Sequence, residues 1–276
     1  MVSSKPVVNL VRLGCRKYMP VLKLQHELAE KIKRSRLTSE ESKRMKQGNV
    51  GENYLLVLEH NPVYTVGMRD RNHYAEEAKN TNFAALGAEF VETDRGGLIT
   101  FHGPGQLVVY PILDLKTFIP SNALFHGKKA NLIGMRWYVE TLEQTVIDLL
   151  KDNFSLEAHR SPHTGVWLGS EEKGDERKIC AMGVHNSQLV TSHGLALNCN
   201  TDLKWFSHIV PCGIEGKGVT SITKEINLNC TKDEVTVEST IPHYIDSFQR
   251  NFQCDIKERD NSDFIKFLHN YSVENH

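Results

Sequence analysis

The sequence predicts an α+β fold, and two observations lead to this prediction. Short apolar segments rich in β-branched residues fill the centre of the chain, where they are typical of buried strands. Amphipathic helical patterns lie toward both ends. A sheet-rich centre with helices on either side of it along the chain indicates the α+β class.

Length and composition indicate an ordinary globular protein. The 276 residues are 39% hydrophobic and 24% charged, without repeats, a low-complexity linker or a sharp break in composition. We therefore expect a single domain over residues 1–276. A net charge of −1 provides no basic field for nucleic acid, and no apolar run approaches the roughly 20 residues of a membrane helix. Six cysteines without a Cys-x-x-Cys pair predict neither a zinc knuckle nor disulfides, so the thiols are expected to be reduced.

The N-terminal part predicts a strand, a helix and two more strands. Val7–Leu13 alternates like a strand, and apolar residues recur with helical spacing over Tyr18–Ile32. The first 26 residues hold five Lys or Arg and no acidic residue, as mitochondrial transit peptides do, but these two patterns mark them as structural. Residues 34–53 are a polar insertion, expected to be a solvated helix extension and loop. Further strands are expected at Tyr54–Glu59 and Val63–Val66.

A glycine-rich stretch occupies residues 95–105 and precedes a buried strand predicted at Gln106–Leu115. Before it, a short helix is expected at Phe83–Leu86 and a strand at Glu89–Thr93. Glycines where a strand begins or ends allow another backbone or a ligand to come close. Two hairpin turns in a sheet are the alternative interpretation. The glycines bracket three polar side chains, Arg95, Thr100 and His102.

The second half predicts one long helix, three strands and two C-terminal helices. The broad apolar face of Asn131–Asn153 assigns this helix to the core. Strands are expected at Thr164–Leu168, Lys178–His185 and Leu189–Asn198, with a charged hairpin at Ser170–Arg177. Helices at Pro242–Asn251 and Asp263–Tyr271 form a C-terminal helical extension over about residues 232–276.

Cys212 and Lys178 are the candidate reactive residues. Cys212 lies between a rigid proline and a permissive glycine, which can present its sulfur at a turn near backbone N–H groups, although a small buried hydrophobic residue is the commoner interpretation of any single cysteine. The other cysteines are expected to be small buried hydrophobic residues: Cys15, Cys180, Cys199, Cys230 and Cys254. Lys178 begins an apolar strand, and burial favours the neutral amine that can exchange protons. Arg177 beside it is expected to be solvated.

Histidines offer a competing base, because Cys–His pairs are the commoner arrangement among cysteine enzymes. His102, His193 and His208 all lie in the glycine-containing segments of the centre. From the residues alone, both the Cys–Lys and the Cys–His pairing stay open.

Three separated segments resemble the signature of the lipoyl(octanoyl) transferases, which move an octanoyl group from acyl carrier protein to a lipoyl-domain lysine. They read RGGLITFHGPGQLVVYPILDL, KICAMGVH, and HGLALN followed by IVPCGI, and the Glu59–Thr65 segment fits the same family. The matches run from about Leu55 to Ile222. Asn61 and Cys180 depart from the usual residues without touching a proposed role.

The resemblance implies a biotin/lipoate protein ligase-like catalytic fold, a mixed sheet flanked by helices. It implies that Cys212 carries the acyl thioester and that Lys178 activates it. It leaves His102 and His193 in the pocket, where assistance in proton transfer stays open. The substrate-binding residues by motif position are Arg95, Gly96, Gly97, Leu98, Ile99, Thr100, Phe101, His102, Ala181, Met182, Gly183, Gly194, Leu195 and Ala196.

The implied activity is acyl transfer in protein lipoylation, without a nucleotide, metal or other cofactor. The implied partners are octanoyl-acyl carrier protein, the lipoyl domains of 2-oxoacid dehydrogenase complexes and the glycine cleavage H protein. The polar insertion and the long C-terminal part indicate a mitochondrial member. An ATP-dependent ligase on the same fold would lack the nucleophilic cysteine, and an inactive carrier-binding module would have lost Cys212 or Lys178. Oligomeric state, the preferred lipoyl domain and the mature N-terminus stay open.

Overall fold

The computed structural model describes residues 5–42, 52–69, 82–118, 124–125, 128–129, 134–209, 217–227 and 234–274. Its strands in chain order are β1 (Val7–Arg16), β2 (Asn53–His60), β3 (Val63–Val66), β4 (Glu89–Glu92), β5 (Thr100–His102), β6 (Gln106–Ile112), β7 (Leu124–Phe125), β8 (Lys128–Lys129), β9 (His159–Arg160), β10 (Val166–Leu168), β11 (Arg177–Ser187), β12 (Val190–Asn198), β13 (Gly218–Val219) and β14 (Asp255–Glu258). Its helices are α1 (Tyr18–Ser42), α2 (Met135–Phe154), α3 (Ile222–Asn227), α4 (Val237–Phe252) and α5 (Ser262–Glu274).

A mixed sheet of nine strands runs through the middle of the molecule. The order is β14-β1-β2-β6-β12-β11-β10-β9, and β13 pairs with β11 beside this path. Strand β1 is parallel to both of its neighbours, whereas β2, β6, β12 and β11 form an antiparallel run. A second sheet has the order β4-β3-β5, and β7 pairs with β8.

Helices cover both faces of the main sheet, which explains why its central strands β2, β6 and β12 are buried along almost their whole length. Alternate residues of β2 enter two different cores. Leu55 and Val57 pack with α2 and α4 on one face. Tyr54, Leu56 and Leu58 pack with α1 and α5 on the other. The prediction of a mixed sheet flanked by helices is confirmed.

Most predicted elements are present, but several boundaries differ. Helix α4 begins at Val237 and not at Pro242, because Thr236 caps it by accepting a hydrogen bond from the Ser239 N–H at 3.1 Å. Strand β6 ends at Ile112, where Asp114 caps a 3₁₀ turn at Leu115–Thr117. The prediction for Asn131–Ile133 lies outside the described residues.

Strand β14 was not predicted. It reads Asp-Ile-Lys-Glu, and its charged residues suit an edge strand, where one side of the backbone stays unpaired. Strand β14 extends the main sheet beside β1, so the C-terminal extension contains a strand as well as helices. Among the described residues, no helix has both the length and the apolar character that crossing a membrane requires.

Candidate active site

A cavity of about 400 Å³ lies where the glycine-rich loop before β5 meets strands β11 and β12. The residues predicted to contact substrate line this cavity, with two exceptions, and Lys178 lines it as well. The lining members of the prediction are Arg95, Gly96, Gly97, Leu98, Thr100, His102, Ala181, Met182, Gly183, Gly194, Leu195 and Ala196.

Ile99 and Phe101 are the two exceptions. They pack with Tyr64 in the core of the small sheet, where both are almost fully buried. Side chains of a strand alternate between its faces, so Thr100 and His102 face the cavity while the residues between them face away. A motif read as a continuous segment cannot separate these two sets.

The glycine-rich loop is held tightly against β11. The Gly96 N–H donates to the Val184 carbonyl at 3.0 Å, so the loop is hydrogen-bonded to the backbone of β11. A Cβ on Gly183 would lie 2.8 Å from the Gly96 oxygen, closer than real Cβ contacts come. The buried Arg95 guanidinium donates to the Thr65 carbonyl at 2.7 Å and hydroxyl at 2.8 Å. Arg95 therefore fixes the loop to the small sheet.

Lys178 is only 7% exposed, which is unusual for a lysine. Its ammonium lies 4.7 Å from the centre of the Trp167 ring and donates to the Thr164 carbonyl at 3.3 Å. A cation over an indole face is stabilised by the ring quadrupole. The fold thus holds a buried amine at the wall of the cavity, as the sequence predicts.

Cys212 lies outside the described residues, and its predicted role remains a prediction. The structure describes the chain up to Ile209 before it and from Lys217 after it. Ile209 packs in the core of the small sheet, after a 3₁₀ turn at Leu203–His208. Val219 of β13 pairs with Lys178 of β11, and the Thr220 N–H donates to the Lys178 carbonyl at 3.0 Å. The described residues that follow Cys212 in the chain therefore pair with the strand that carries Lys178.

A family model described as the lipoyl protein ligase A/B catalytic domain matches residues 18–249. The chain belongs to this family.

Two relatives are described as mitochondrial octanoyl-[acyl-carrier-protein]:protein N-octanoyltransferases. The relative from Danio rerio is 43% identical over 251 residues, covering 91% of this chain and 95% of the relative. The relative from Homo sapiens is 40% identical over 258 residues, covering 93% and 98%. The chain is therefore an octanoyltransferase, an acyltransferase of protein lipoylation, and it is mitochondrial, which confirms the predicted enzyme class and location.

A solved structure supports the fold. It is described as a bi-partite lipoate protein ligase and its E2 lipoyl domain from Thermoplasma acidophilum. Its TM-score is 0.60 at 14% identity, and the match covers 98% of this chain and 92% of that chain. At this identity the likeness concerns the fold alone, and it confirms the predicted ligase-like architecture.

The candidate histidines of this octanoyltransferase differ in their surroundings. His102 is buried, and its Nδ1 lies 2.8 Å from Gln106 Oε1. Burial holds the pKa of His102 well below its ordinary range. His193 is also buried, and its Nε2 lies 2.7 Å from Asp94 Oδ1. His208 is exposed in the 3₁₀ turn and does not line the cavity.

The remaining described cysteines test the expectation that they are buried. Cys180, Cys199 and Cys254 are buried, and burial raises the pKa of each thiol, so they stay protonated at neutral pH. For Cys15 the expectation is wrong, because this residue is exposed. A register shift between Arg12 and Gly14 turns the end of β1 outward. Cys230 lies outside the described residues.

The surroundings of Arg177 also differ from the prediction. Expected to be solvated, it instead forms a two-pronged ion pair with buried Glu225, at 2.6 Å from Nε and 2.6 Å from Nη2. Glu225 also accepts from the Thr220 hydroxyl at 2.5 Å. This contact fixes α3 to the start of β11, next to Lys178.

Several cavity residues were not predicted from the sequence. They come from elements far apart in the chain: Tyr18, Arg69, Tyr110, Val139, Pro162, His163, Thr164 and Val184. Tyr18 belongs to the apolar face of α1 and Tyr110 to the buried strand β6. Their patterns indicate burial only, and nothing in them distinguishes a cavity wall from the core.

Proposed function

We propose that this octanoyltransferase takes an octanoyl group from acyl carrier protein onto Cys212 and passes it to a lysine of a lipoyl domain. The observation that supports the proposal best is the buried Lys178 ammonium. It lies at the cavity wall on β11, the strand with which β13 pairs. The names of the relatives support the octanoyl donor.

The cavity supports an acyl chain as the bound group. Its lining alternates small and apolar residues of β11 and β12, including Ala181, Met182 and Leu195. Burying a methylene contributes about 0.8 kcal/mol, so the six methylenes of an octanoyl chain contribute roughly 5 kcal/mol. A chain of this length therefore has enough apolar surface to be held by the cavity walls.

In the first half-reaction, the Cys212 thiolate attacks the thioester carbonyl of octanoyl-acyl carrier protein. A carbon–sulfur bond forms to Cys212, the bond to the carrier sulfur breaks, and the carrier thiolate takes a proton from the Lys178 ammonium. Backbone N–H groups near the cavity would stabilise the developing oxyanion. The Gly96 N–H is already bonded to Val184, so Gly97 is the better candidate in that loop.

In the second half-reaction, the ε-amine of the acceptor lysine attacks the octanoyl-Cys212 thioester. A carbon–nitrogen bond forms, the bond to Cys212 breaks, and the neutral Lys178 amine takes the proton that the nucleophile loses. The acceptors are the lipoyl domains of 2-oxoacid dehydrogenase complexes and the glycine cleavage H protein. Exchange of a thioester for an amide is downhill, so neither step requires a nucleotide or a metal.

An ATP-dependent lipoate ligase is the alternative, since the fold is shared. Incubation of the protein with octanoyl-acyl carrier protein, followed by intact mass and peptide mapping, separates the two. We expect one octanoyl adduct on Cys212 that disappears on addition of an apo lipoyl domain. Cys212→Ala should lose both adduct and transfer. Cys15→Ser, which changes an exposed thiol, should keep both. Full transfer by Cys212→Ala would refute the covalent route.

A further inference from the structure

A cluster of imidazole and carboxylate groups lies beside the cavity, and the transfer steps proposed above assign no role to it. Asp94 follows β4, and its carboxylate meets His193 of β12 and His26 of α1. His193 Nε2 lies 2.7 Å from Oδ1, and His26 Nε2 lies 3.3 Å from Oδ2. These three potential ligand atoms all lie within 4.8 Å of one another. Three separate segments of the chain therefore converge on one point.

The backbone at His193 departs from regular strand geometry. Its φ is +55°, in the left-handed region that residues other than glycine rarely adopt. In the register that pairs Leu195 with Val109, His193 stands opposite Pro111, which has no N–H to donate. The His193 N–H leaves the ladder and donates instead to Gln25 Oε1 of α1 at 2.7 Å. The pairing of β12 with β6 stops before His193, whereas its pairing with β11 continues through this residue.

Two nitrogen atoms of the cluster are buried without a hydrogen bond inside the described part of the chain. They are His26 Nε2 and His193 Nδ1. His26 Nε2 lies near the Asp94 carboxylate but forms no well-directed hydrogen bond with it. A buried polar atom without a partner is costly, and a bound cation would satisfy His26.

The surroundings leave room for a hydrated ion. A second cavity of about 330 Å³ is lined by His26, Asp94 and His185, on the side of the cluster where Glu30 and Lys33 lie. Glu30 is paired with Lys33 at 2.8 Å, so Asp94 supplies the formal negative charge of the cluster itself. Water ligands from this cavity would complete the coordination shell.

We propose that His26, Asp94 and His193 form a binding site for a divalent transition-metal ion, with Zn²⁺ as the best match. Two imidazoles and one carboxylate suit zinc and its neighbours in the first transition row. Mg²⁺ and Ca²⁺ require more oxygen ligands than the cluster offers. Ligands bound to zinc at about 2.1 Å stand about 3.4 Å apart. On binding, the widest separation in the cluster, at most 4.8 Å, therefore closes by up to about 1.4 Å, and the 2.7 Å contact between His193 and Asp94 opens by about 0.7 Å.

Binding exchanges the hydrogen bond between His193 and Asp94 for metal–ligand bonds. The Nε2 hydrogen moves to Nδ1, and the ring stays neutral. Burial lowers the pKa of His193, which keeps the imidazole in the neutral form that binds metal. Because His193 also lines the first cavity, an ion held here occupies the wall of the substrate site. The ion is expected to slow transfer without being required for it.

The test is Zn²⁺ binding by the EDTA-treated, desalted full-length protein at pH 7.5, measured against a chromophoric zinc indicator. One ion per chain is expected. His26→Gln and Asp94→Asn should each weaken the affinity at least about tenfold. His269→Gln, at an exposed position of α5 outside the cluster, is the matched control and should bind as the wild type does.

Co²⁺ absorption spectra separate this site from the thiols, since cobalt–thiolate bonds give a strong near-ultraviolet band that histidine and carboxylate ligands lack. Absence of stoichiometric Zn²⁺ binding, a thiolate band, or unchanged affinity in His26→Gln would each overturn the proposal. His26 is about half exposed on α1, so this variant is expected to fold. Binding is read directly, so the result is independent of the acyl-transfer mechanism.

Discussion

The surroundings of Lys178 are set by tertiary contacts that its neighbours in the sequence do not indicate. The sequence places it at the start of an apolar strand, and the structure adds the Trp167 ring and the Thr164 carbonyl around its ammonium. Trp167 belongs to β10, where it pairs with Lys178, and Thr164 lies just before that strand, fourteen residues from Lys178 in the chain. Burial was predictable from the pattern, whereas these partners depend on tertiary packing.

Replacing Lys178 with Met tests its part in the reaction. The variant keeps the volume of the side chain and removes the ammonium, so the acylation rate should fall by about 10²–10⁴, the usual contribution of an acid–base group. The pH at which Cys212 reacts with iodoacetamide should rise, because a thiolate loses a neighbouring cation. Lys224→Met, at an exposed position of α3, is the control. An unchanged alkylation profile would identify a histidine as the base.

The buried His60 makes the free energy of unfolding depend on pH. It is fully buried, with Nδ1 donating to the Arg16 carbonyl at 2.9 Å and Nε2 accepting from the Tyr110 hydroxyl at 2.8 Å. Burial lowers the pKa of His60 to about 4. In the unfolded chain the ring takes up a proton near pH 6.5, so folding loses stability as the pH falls from about 6.5 to about 4.

The expected loss from His60 over that window is roughly 3 kcal/mol. Denaturant unfolding at several pH values measures it. His60→Gln should have a flatter curve, although the variant is less stable at neutral pH. His243→Gln, an exposed histidine on α4, should follow the wild-type curve. Parallel curves for all three proteins would contradict this assignment.

At the scale of elements, the predictions that failed have local physical causes. Pro242 marks a possible helix start, but Thr236 caps α4 one and a half turns earlier. The register shift near Gly14 exposes Cys15, and no alternation pattern reveals such a shift. Strand β14 is too short and too charged to be recognised before its partner β1 is known. Long apolar patterns, in contrast, predicted α2, β6 and β12.

The cap at Thr236 can be tested by substitution. Thr236→Ala removes the acceptor for the Ser239 N–H and should cost about 1 kcal/mol of unfolding free energy. Thr236→Ser keeps the hydroxyl and should restore most of the stability. Chemical denaturation of the three proteins measures both effects. Equal stability of the alanine and serine variants would show that the cap contributes nothing.

At the scale of the whole molecule, the candidate site is assembled from the small sheet, the main sheet and helices α1 and α2. The small sheet supplies the loop that begins at Arg95, and the main sheet supplies Lys178 and the walls of the cavity. The resemblance of the motifs to the family implied that these segments meet at one site. The motifs could not predict the contribution of Tyr18 or Val139, since helix residues that line a cavity have the same apolar spacing as core residues.

The energy source of the reaction is a property of the whole protein. A thioester donor carries the free energy that an adenylating ligase takes from ATP, so octanoyl-acyl carrier protein should suffice. Free octanoate with ATP and Mg²⁺ should give no modified lipoyl domain in a mass-spectrometric assay. EDTA should leave the carrier-dependent reaction intact. Strict dependence on ATP and Mg²⁺ would assign the protein to the ligases instead.

The contact between Lys178 and Trp167 makes the intrinsic fluorescence of Trp167 a reporter of the charge on Lys178. The ring centre lies 4.7 Å from the ammonium, and indole emission responds to a charge at such a distance. Changing the other two tryptophans, Trp137 and Trp205, to Phe leaves Trp167 as the single emitter. Stopped-flow fluorescence of that variant would follow loss and return of the ammonium proton during each half-reaction, on unlabelled protein and in real time.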